Sequence, residues 1–247
     1  MHQFFKKSSE MNETPLAITG DDYNHIKNVL RLRCGEEILV SDGAGKEYIC
    51  RIEDYLEEKG MALLKITDVF ASAQELPTRI TLFQGYPKGD KMDTIVQKAV
   101  ELGVFEIVPV IMNRSVVKLD EKKAQKKVER LNGIALSAAK QSKRGIVPQV
   151  KPVMKMREAV AYAAEKDYII LPYENAEGIE HARCVLKEVK GKKEIGVFIG
   201  PEGGFEPFEV EMIKEIGGNS ITLGKRILRT ETAGIAMMSI LMFLLEE

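Results

Sequence analysis

Three junctions in the second half of the chain hold residue types suited to cradling a nucleotide-like ligand. They are Leu171-Pro-Tyr-Glu174, Ile199-Gly-Pro-Glu-Gly-Gly-Phe205 and Leu223-Gly-Lys-Arg-Ile-Leu-Arg-Thr-Glu-Thr-Ala233, each just after a run that reads as a strand. Open parallel sheets bind ligands beyond the carboxyl ends of their strands. Gly200, Gly203, Gly204 and Gly224 allow backbone to approach a ligand closely or to take up positive φ. Any one of these glycines taken alone reads first as a plain turn, but three such junctions in one half-domain point to a shared pocket. Several familiar chemistries lack their patterns. Gly200-Pro-Glu-Gly-Gly204 is not the Gly-x-Gly-x-x-Gly fingerprint of dinucleotide binding. Gly85-Tyr-Pro-Lys-Gly-Asp-Lys91 has the wrong spacing for a phosphate loop, and Asp93 follows Met92 where a hydroxyl is wanted. No Gly-x-Ser-x-Gly elbow occurs.

The elements that must position these junctions alternate. Arg79 to Gln84 is strand-like, and Lys91 to Leu102 is helix-like, with Met92, Ile95, Val96, Ala99 and Val100 at helical spacing. Glu106 to Met112 is a near-continuous apolar strand, and a long helix runs from about Glu121 to Ser142. Beyond it come a strand near Val150, a helix at Met156 to Glu165, the strand Tyr168 to Leu171 and a helix at His181 to Val189. The strand Ile195 to Ile199, a helix at Pro207 to Ile216, the strand Ser220 to Leu223 and an apolar terminal helix complete the chain. Strands without polar alternation, alternating with helices, indicate an α/β fold with a parallel sheet covered on both faces. The first 70 or so residues differ. Glu37 to Ser41, Lys46 to Ile52 and Met61 to Phe70 are short strands, with turn chemistry at Asp42-Gly-Ala-Gly45. A short helix at Tyr23 to Leu32 places Ile26, Val29 and Leu30 on one face, with Asp21 or Asp22 as its cap. The pattern suggests a small β-barrel. Ala71 to Pro77 reads as a linker, which divides the chain into residues 1–72 and residues 73–247.

Composition narrows the function classes. With 247 residues, 45% of them hydrophobic, the chain can bury a core without disulfides or metals. Cys34, Cys50 and Cys184 are scattered and only three histidines occur, so neither a disulfide framework nor a metal site is expected, and the usage suits a reducing cytosol. Phe4-Phe5 is followed at once by Lys6 and Lys7, which is no signal peptide. The apolar run from Ala233 to Leu245 is short for a membrane span and reads as a buried helix, with Met237, Met238, Leu241, Met242 and Leu244 in the core or in a dimer interface.

Ile199 to Phe205 and Leu223 to Ala233 resemble the cofactor-binding signatures of the SPOUT methyltransferases, and among them the RsmE family, which methylates N3 of a uridine in 16S ribosomal RNA. Met1 to Phe5, His25 to Arg31, Lys88 to Gly103 and Ala138 to Ser142 are similar to other segments of that family, so the resemblance covers nearly the whole chain. The sequence departs from the family's pattern at Lys140 and Lys143, where an acidic residue and a glycine are expected, and at Lys225, where proline is expected. The resemblance implies a PUA-like barrel for RNA, followed by an α/β domain with a trefoil knot. It further implies S-adenosylmethionine as cofactor, the small ribosomal subunit as substrate, a homodimer and a cytoplasmic location.

On that reading the cofactor is held by Leu171, Pro172 and Tyr173, by Ile199, Gly200, Pro201, Glu202, Gly203 and Gly204, and by Leu223, Gly224, Ile227, Leu228, Arg229 and Thr230. Ile199, Leu223, Ile227 and Leu228 are expected to flank the adenine. Methyl transfer from a sulfonium is an in-line displacement, in which the protein mainly aligns the two partners. The N3 of uracil must lose its proton, and a fixed cation near the two ring oxygens favours the anion. Arg229 is the expected catalytic group; a salt bridge to Glu202 or Glu231 is the alternative reading of the same residue. Glu231 or Glu202 as proton acceptor is a weaker expectation, and Thr230 or Thr232 is expected to cap the last helix. Lys88 or Lys91 is expected either to reach phosphate or to mark a helix start with Asp90 as cap.

Net charge is −1 overall, so any RNA surface must be local. Between Lys118 and Lys151 ten Lys and Arg face three acidic residues, a local excess of +7. Lys140, Lys143 and Arg144 form the best RNA cluster, with Lys27, Arg31 and Arg33 a second; the helix from Glu121 to Arg130 reads equally as a solvated face. His25 reads as a packing or capping residue. A ribose 2′-hydroxyl as nucleophile and a non-catalytic RNA-binding module are the competing functions.

Overall fold

The computed structural model describes residues 1–117 and 119–246. The chain divides into two compact units. The first is Met1–Glu75 together with Ala139–Val147, and the second is Leu76–Ala138 with Pro148–Glu247.

The first unit is built on β1 (Gln3–Phe5), β2 (Leu16–Thr19), β3 (Glu37–Ser41), β4 (Lys46–Leu56) and β5 (Met61–Ala71), in the spatial order β1-β3-β4-β5-β2. β1 pairs with β3 in parallel and the remaining pairs are antiparallel. Inward-facing Ile38, Val40, Cys50, Ile52 and Leu64 pack with Phe4, Leu16, Ile18 and Ile26 into one core. The β3–β4 turn closes as its composition suggests, with the backbone N–H groups of Ala44 and Lys46 both donating to Asp42 Oδ1. Residues 139–147 belong to this unit through their backbone. The Ser41 hydroxyl and the Gly45 N–H both donate to the Gly145 carbonyl, and the Val147 N–H donates to the Gly43 carbonyl.

The expected helix at Tyr23 to Leu32 is shorter and begins earlier. α1 (Gly20–Asn24) runs into a π turn at His25–Val29. The wider π turn carries Val29 off the apolar face, and its side chain is 63% exposed while Ile26 is fully buried. Thr19 is the residue before α1, and neither it nor Asp21 or Asp22 caps the helix with its side chain.

The second unit alternates strand and helix: β6 (Arg79–Gly85), α2 (Lys91–Glu101), β7 (Glu106–Ile111), α3 (Glu121–Gln141), β8 (Gln149–Val150), β9 (Met154–Lys155), α4 (Met156–Ala163), β10 (Tyr168–Pro172), α5 (Ile179–Lys187), β11 (Glu194–Ile199), α6 (Pro207–Glu215), β12 (Gly218–Ile221) and α7 (Thr230–Leu245). The last three residues of α3 fall in the first unit. All strand pairs are parallel, in the order β12-β10-β11-β6-β7-β8, with β9 pairing farther along β7. The central strands are buried on both faces, and Phe83 of β6 stacks on Phe198 of β11 with ring centroids 4.5 Å apart. α2 buries Met92, Ile95, Val96, Ala99 and Val100, the face its periodicity predicts. Two expectations shift. The strand placed at Ser220 to Leu223 lies at Gly218–Ile221, which frees Thr222 and Leu223 for the loop. α7 is buried on one side only: Met237, Met238 and Leu241 are in the core, but Phe243 is 81% exposed and Met242 and Leu244 are half-buried.

Candidate active site

The three junctions meet at the carboxyl ends of β10, β11 and β12. Pro172–Glu174, Ile199–Phe205 and Thr222–Thr230 line a single cavity of about 680 Å³, joined by Lys88 and Lys91 from the β6–α2 loop and helix start and by Ala233 of α7. Close backbone approach makes this geometry possible. A Cβ on Gly85, the last residue of β6, would stand 2.5 Å from the Pro201 nitrogen, so only glycine lets β6 and the second junction meet there. Gly224 has φ +118°, and its N–H donates to the Thr222 hydroxyl at 3.1 Å, which tightens the third junction.

Nearly all the residues expected to hold a cofactor line this cavity; Leu171 does not. It is fully buried in the core that contains Phe198 and Phe205, because alternation along β10 turns it away and leaves Pro172 and Tyr173 to form the wall. Ile227 stands at the mouth, 87% exposed, and not in an apolar slot. Thr230 does not cap α7. Arg229 is the residue before the helix, and the Thr230 hydroxyl donates to the Gly200 carbonyl at 2.6 Å.

Arg229 is exposed, lines the cavity and makes no ion pair among the described residues. The two carboxylates named as its alternative partners both go to Lys91, whose Nζ lies 3.0 Å from Glu202 and 3.4 Å from Glu231. Lys91 therefore ties the second junction to the first turn of α7. Burial by itself would push the Glu202 carboxyl up. Its own backbone N–H, the Lys91 ammonium and the Lys88 N–H outweigh that and hold it below the usual carboxylate range. Glu202 is thus a stable anion and a weak base. Asp90 precedes α2 without capping it through its side chain.

Arg114 and Gln84 had no motif to announce them. The Arg114 guanidinium donates to the Gly203 carbonyl at 3.0 Å and to Glu206, while a Cβ on Gly203 would lie 2.8 Å from the Arg114 Cβ. Glu206 in turn starts α6, where its N–H donates to Glu209 and Pro207 occupies the first turn. Gln84, fully buried at the end of β6, donates to the Thr230 hydroxyl at 2.8 Å.

The expected RNA contacts separate. Arg144 is 4% exposed and paired with Glu75, whose carboxylate also accepts the Gly145 and Ile146 N–H groups; it is a buried structural cation and not a phosphate contact. Lys143, Arg31 and Arg33 are exposed, and Lys143 and Arg31 both have positive φ. Lys140 is exposed and lies 3.3 Å from Asp22. Lys27 pairs with Glu57 and sits over the Tyr55 ring. His25 packs edge-on against Phe4. Lys118, part of the basic run, lies outside the described residues.

Similarity to known proteins now bears on this site. The sequence profile of the RNA methyltransferase domain matches residues 74–242, and that of the RNA methyltransferase PUA domain matches residues 18–59. The ribosomal RNA small subunit methyltransferase E of Bacillus subtilis is 36% identical over 93% of this chain and 91% of its own length. That of Aquifex aeolicus is 34% identical over 98% of this chain and 99% of its own. The chain belongs to the ribosomal RNA small subunit methyltransferase E family. The crystal structure of the methyltransferase E of Neisseria gonorrhoeae bound to S-adenosyl methionine superposes with a TM-score of 0.80, at 34% identity over 99% of this chain and 98% of that one. Methyltransferase E relatives thus share both units of this chain, the PUA domain within the first and the parallel sheet of the second.

Proposed function

We propose that this chain is an S-adenosylmethionine-dependent methyltransferase that modifies N3 of a uridine in the 16S RNA of the small ribosomal subunit. The observation that carries the proposal is the convergence of three junctions on one cavity with Arg229, which makes no ion pair among the described residues, at its wall. The cavity suits the donor chemically. Ile199, Leu223 and Leu228 offer apolar contact for a purine, and the junction backbones offer hydrogen bonds to polar edges. The close packing of Gly85 on Pro201 and of Gly203 on Arg114 presents main chain, not side chains, to the ligand.

When bound, S-adenosylmethionine supplies an electrophilic methyl group on a sulfonium. The chain's own part is alignment and charge. The junction backbones fix the donor, and Lys91 holds Glu202 and Glu231 so that neither carboxylate neutralises Arg229. Arg229 stabilises the negative charge that spreads over the uracil oxygens once N3 gives up its proton. Glu202, whose carboxyl is held below the usual range by Lys91 and two backbone N–H groups, is a weak acceptor for that proton.

The first unit is proposed to bind RNA, with Arg31, Arg33, Lys140 and Lys143 as exposed contacts. The trefoil knot expected of the family is proposed for the path from β11 through β12 into α7, where the second and third junctions lie side by side. A homodimer is proposed through α7. Ile240, Phe243 and Leu244 border an apolar groove of about 730 Å³ against Leu186 of α5, rimmed by Arg183, Lys187 and Lys190, and a second copy is proposed to cover it. No helix among the described residues is long and apolar enough to cross a membrane, and a cytoplasmic location is part of the proposal.

The test is to incubate the protein with labelled S-adenosylmethionine and small subunits from cells lacking it, and then to identify the labelled nucleoside. Labelled 3-methyluridine is expected. A 2′-O-methyl product would overturn the assigned nucleophile. Absence of label despite cofactor binding would point to another RNA, and absence of both would favour a non-catalytic binding module.

A further inference from the structure

Gln84 is fully buried at the carboxyl end of β6, and its Oε1 has no hydrogen-bond donor among the described residues. A buried amide oxygen left without a donor is unfavourable, and such groups in folded proteins call for a reason. The reason follows from the direction in which protons must point around it.

The Gly200 carbonyl can only accept. The Thr230 hydroxyl lies 2.6 Å from it, so the single proton of Thr230 is committed to that bond. The Thr230 oxygen must then accept from its other neighbour, which is Gln84, 2.8 Å away. That requires the amide nitrogen of Gln84, not its oxygen, to face Thr230. The second N–H of the same nitrogen reaches the Gly85 carbonyl at 3.1 Å. With both N–H groups used, Oε1 is turned toward α7, where an added Cβ on Gly234 would stand 3.3 Å from it. Glycine at 234 therefore leaves room for an amide orientation that the rest of the chain dictates. Gly200 and Thr230 both line the cavity, one on the second junction and one on the third.

We propose that Gln84 is a positioning residue for methyl transfer. By donating to Thr230 it fixes the direction of the Thr230–Gly200 hydrogen bond and so locks the second and third junctions into the register that binds the methyl donor. The proposal rests on the assignment of the cavity to S-adenosylmethionine. Gln84 touches neither substrate in this scheme; it acts through Thr230.

The directionality makes the proposal testable. Gln84→Met keeps the length of the side chain and removes both donors. Thr230→Val keeps the shape and removes the relay, and Thr230→Ser restores the hydroxyl. Binding of the product S-adenosylhomocysteine is read by calorimetry, alongside unliganded melting temperature and single-turnover methylation. Q84M and T230V are each expected to weaken binding about tenfold, the order of one hydrogen bond. T230S is expected to bind within about threefold of the unaltered protein. Because both losses run through one chain of bonds, the double variant Q84M/T230V is expected to bind no worse than T230V alone. Multiplying losses in the double variant would overturn the relay, and so would unaltered binding in Q84M. Where Q84M lowers stability too far to measure, Gln84→Glu supplies the second route. Its carboxylate would face two acceptors, Thr230 Oγ1 and the Gly85 carbonyl, so weaker binding than T230S is expected, and binding equal to that of the unaltered protein would overturn the proposal. Failure of the unaltered protein to bind S-adenosylhomocysteine would instead sink the cofactor assignment, whatever the variants do.

Discussion

Arg114 and Glu206 form a two-pronged ion pair, Nε to Oε1 at 2.9 Å and Nη2 to Oε2 at 3.3 Å, set against the glycine-rich junction that follows β11. The third prong of the same guanidinium holds the Gly203 carbonyl. This arrangement braces the junction from outside the cavity. Arg114→Ala should weaken S-adenosylhomocysteine binding about fivefold, the scale of one lost hydrogen bond to a charged group, with little loss of thermal stability. Equal loss of binding in Arg114→Lys would show that the forked geometry matters more than the charge.

Arg229 leads to a different expectation. It makes no ion pair among the described residues, is exposed and lies on the cavity wall. Arg229→Ala should lower single-turnover methylation about 10²–10³-fold, the range seen when a preorganised donor to a developing charge is removed, while cofactor affinity changes far less. Parallel losses of binding and rate would reassign Arg229 to the cofactor alone.

Glu106 predicts a pH dependence of stability. It is 3% exposed and accepts hydrogen bonds from the Tyr162 hydroxyl at 2.6 Å and the Thr81 hydroxyl at 2.8 Å, with Lys166 and Lys151 close by. Burial alone would raise its pKa; the two hydroxyls and two ammonium groups more than reverse this and hold it below the ordinary carboxylate value. The unfolded chain therefore binds this proton more readily than the folded one. The stabilisation is complete above the unfolded carboxylate pKa, about 4.3, and fades as pH falls through the lower folded value. Glu106→Gln should cost about 1–3 kcal/mol at neutral pH, and urea midpoints of variant and parent should converge in acid. A gap independent of pH would mean that shape, not charge, is what Glu106 contributes.

Arg144 and Lys143 are neighbours with opposite fates. Arg144→Ala removes one partner of a buried pair and should destabilise the protein by about 3–5 kcal/mol, measured by denaturant unfolding. Lys143→Ala should leave stability unchanged and reduce the slope of log affinity for RNA against log salt by about one. The reverse pattern would restore Arg144 as a phosphate contact.

Phe243 bears on assembly. An exposed aromatic contributes little to the fold of one copy, so Phe243→Asp should change stability by less than about 0.5 kcal/mol. It should nevertheless shift the protein to monomers in sedimentation velocity. A variant that sediments like its parent would remove α7 from the interface.

Much of this was written in local patterns. The helical spacing of Met92, Ile95, Val96 and Ala99 announces α2, and the near-continuous apolar run of β7 and the strands without polar alternation beside it announce a sheet buried on both faces. The second and third junctions were legible because glycine, proline and strand ends coincide there. What escaped depends on partners far away in sequence. A charge tally made Arg144 look like an RNA ligand because Glu75, its partner, lies 69 residues earlier. Leu171 and Pro172 point to opposite sides of β10, and because that strand is buried on both faces its apolar run does not tell which residue meets the cavity. The π turn at His25–Val29 breaks the helical period that its residues otherwise suggest. Gln84 and Arg114 belong to no motif, because their partners, the Thr230 hydroxyl and the Gly203 carbonyl, lie far away in sequence.

The return of residues 139–147 to the first unit has a consequence for how the protein is made and remade. During synthesis the first 75 residues leave the ribosome lacking the strip that supplies Arg144 to Glu75 and the Gly145 carbonyl to Ser41 and Gly45. That unit reaches its final hydrogen bonding only after β6, α2, β7 and α3 have been translated. A gene fragment cut at the linker would encode the first unit with an open seam, and the same unit grafted onto another enzyme would carry that seam with it. The two units are distinct as folded bodies but are not separable as cassettes.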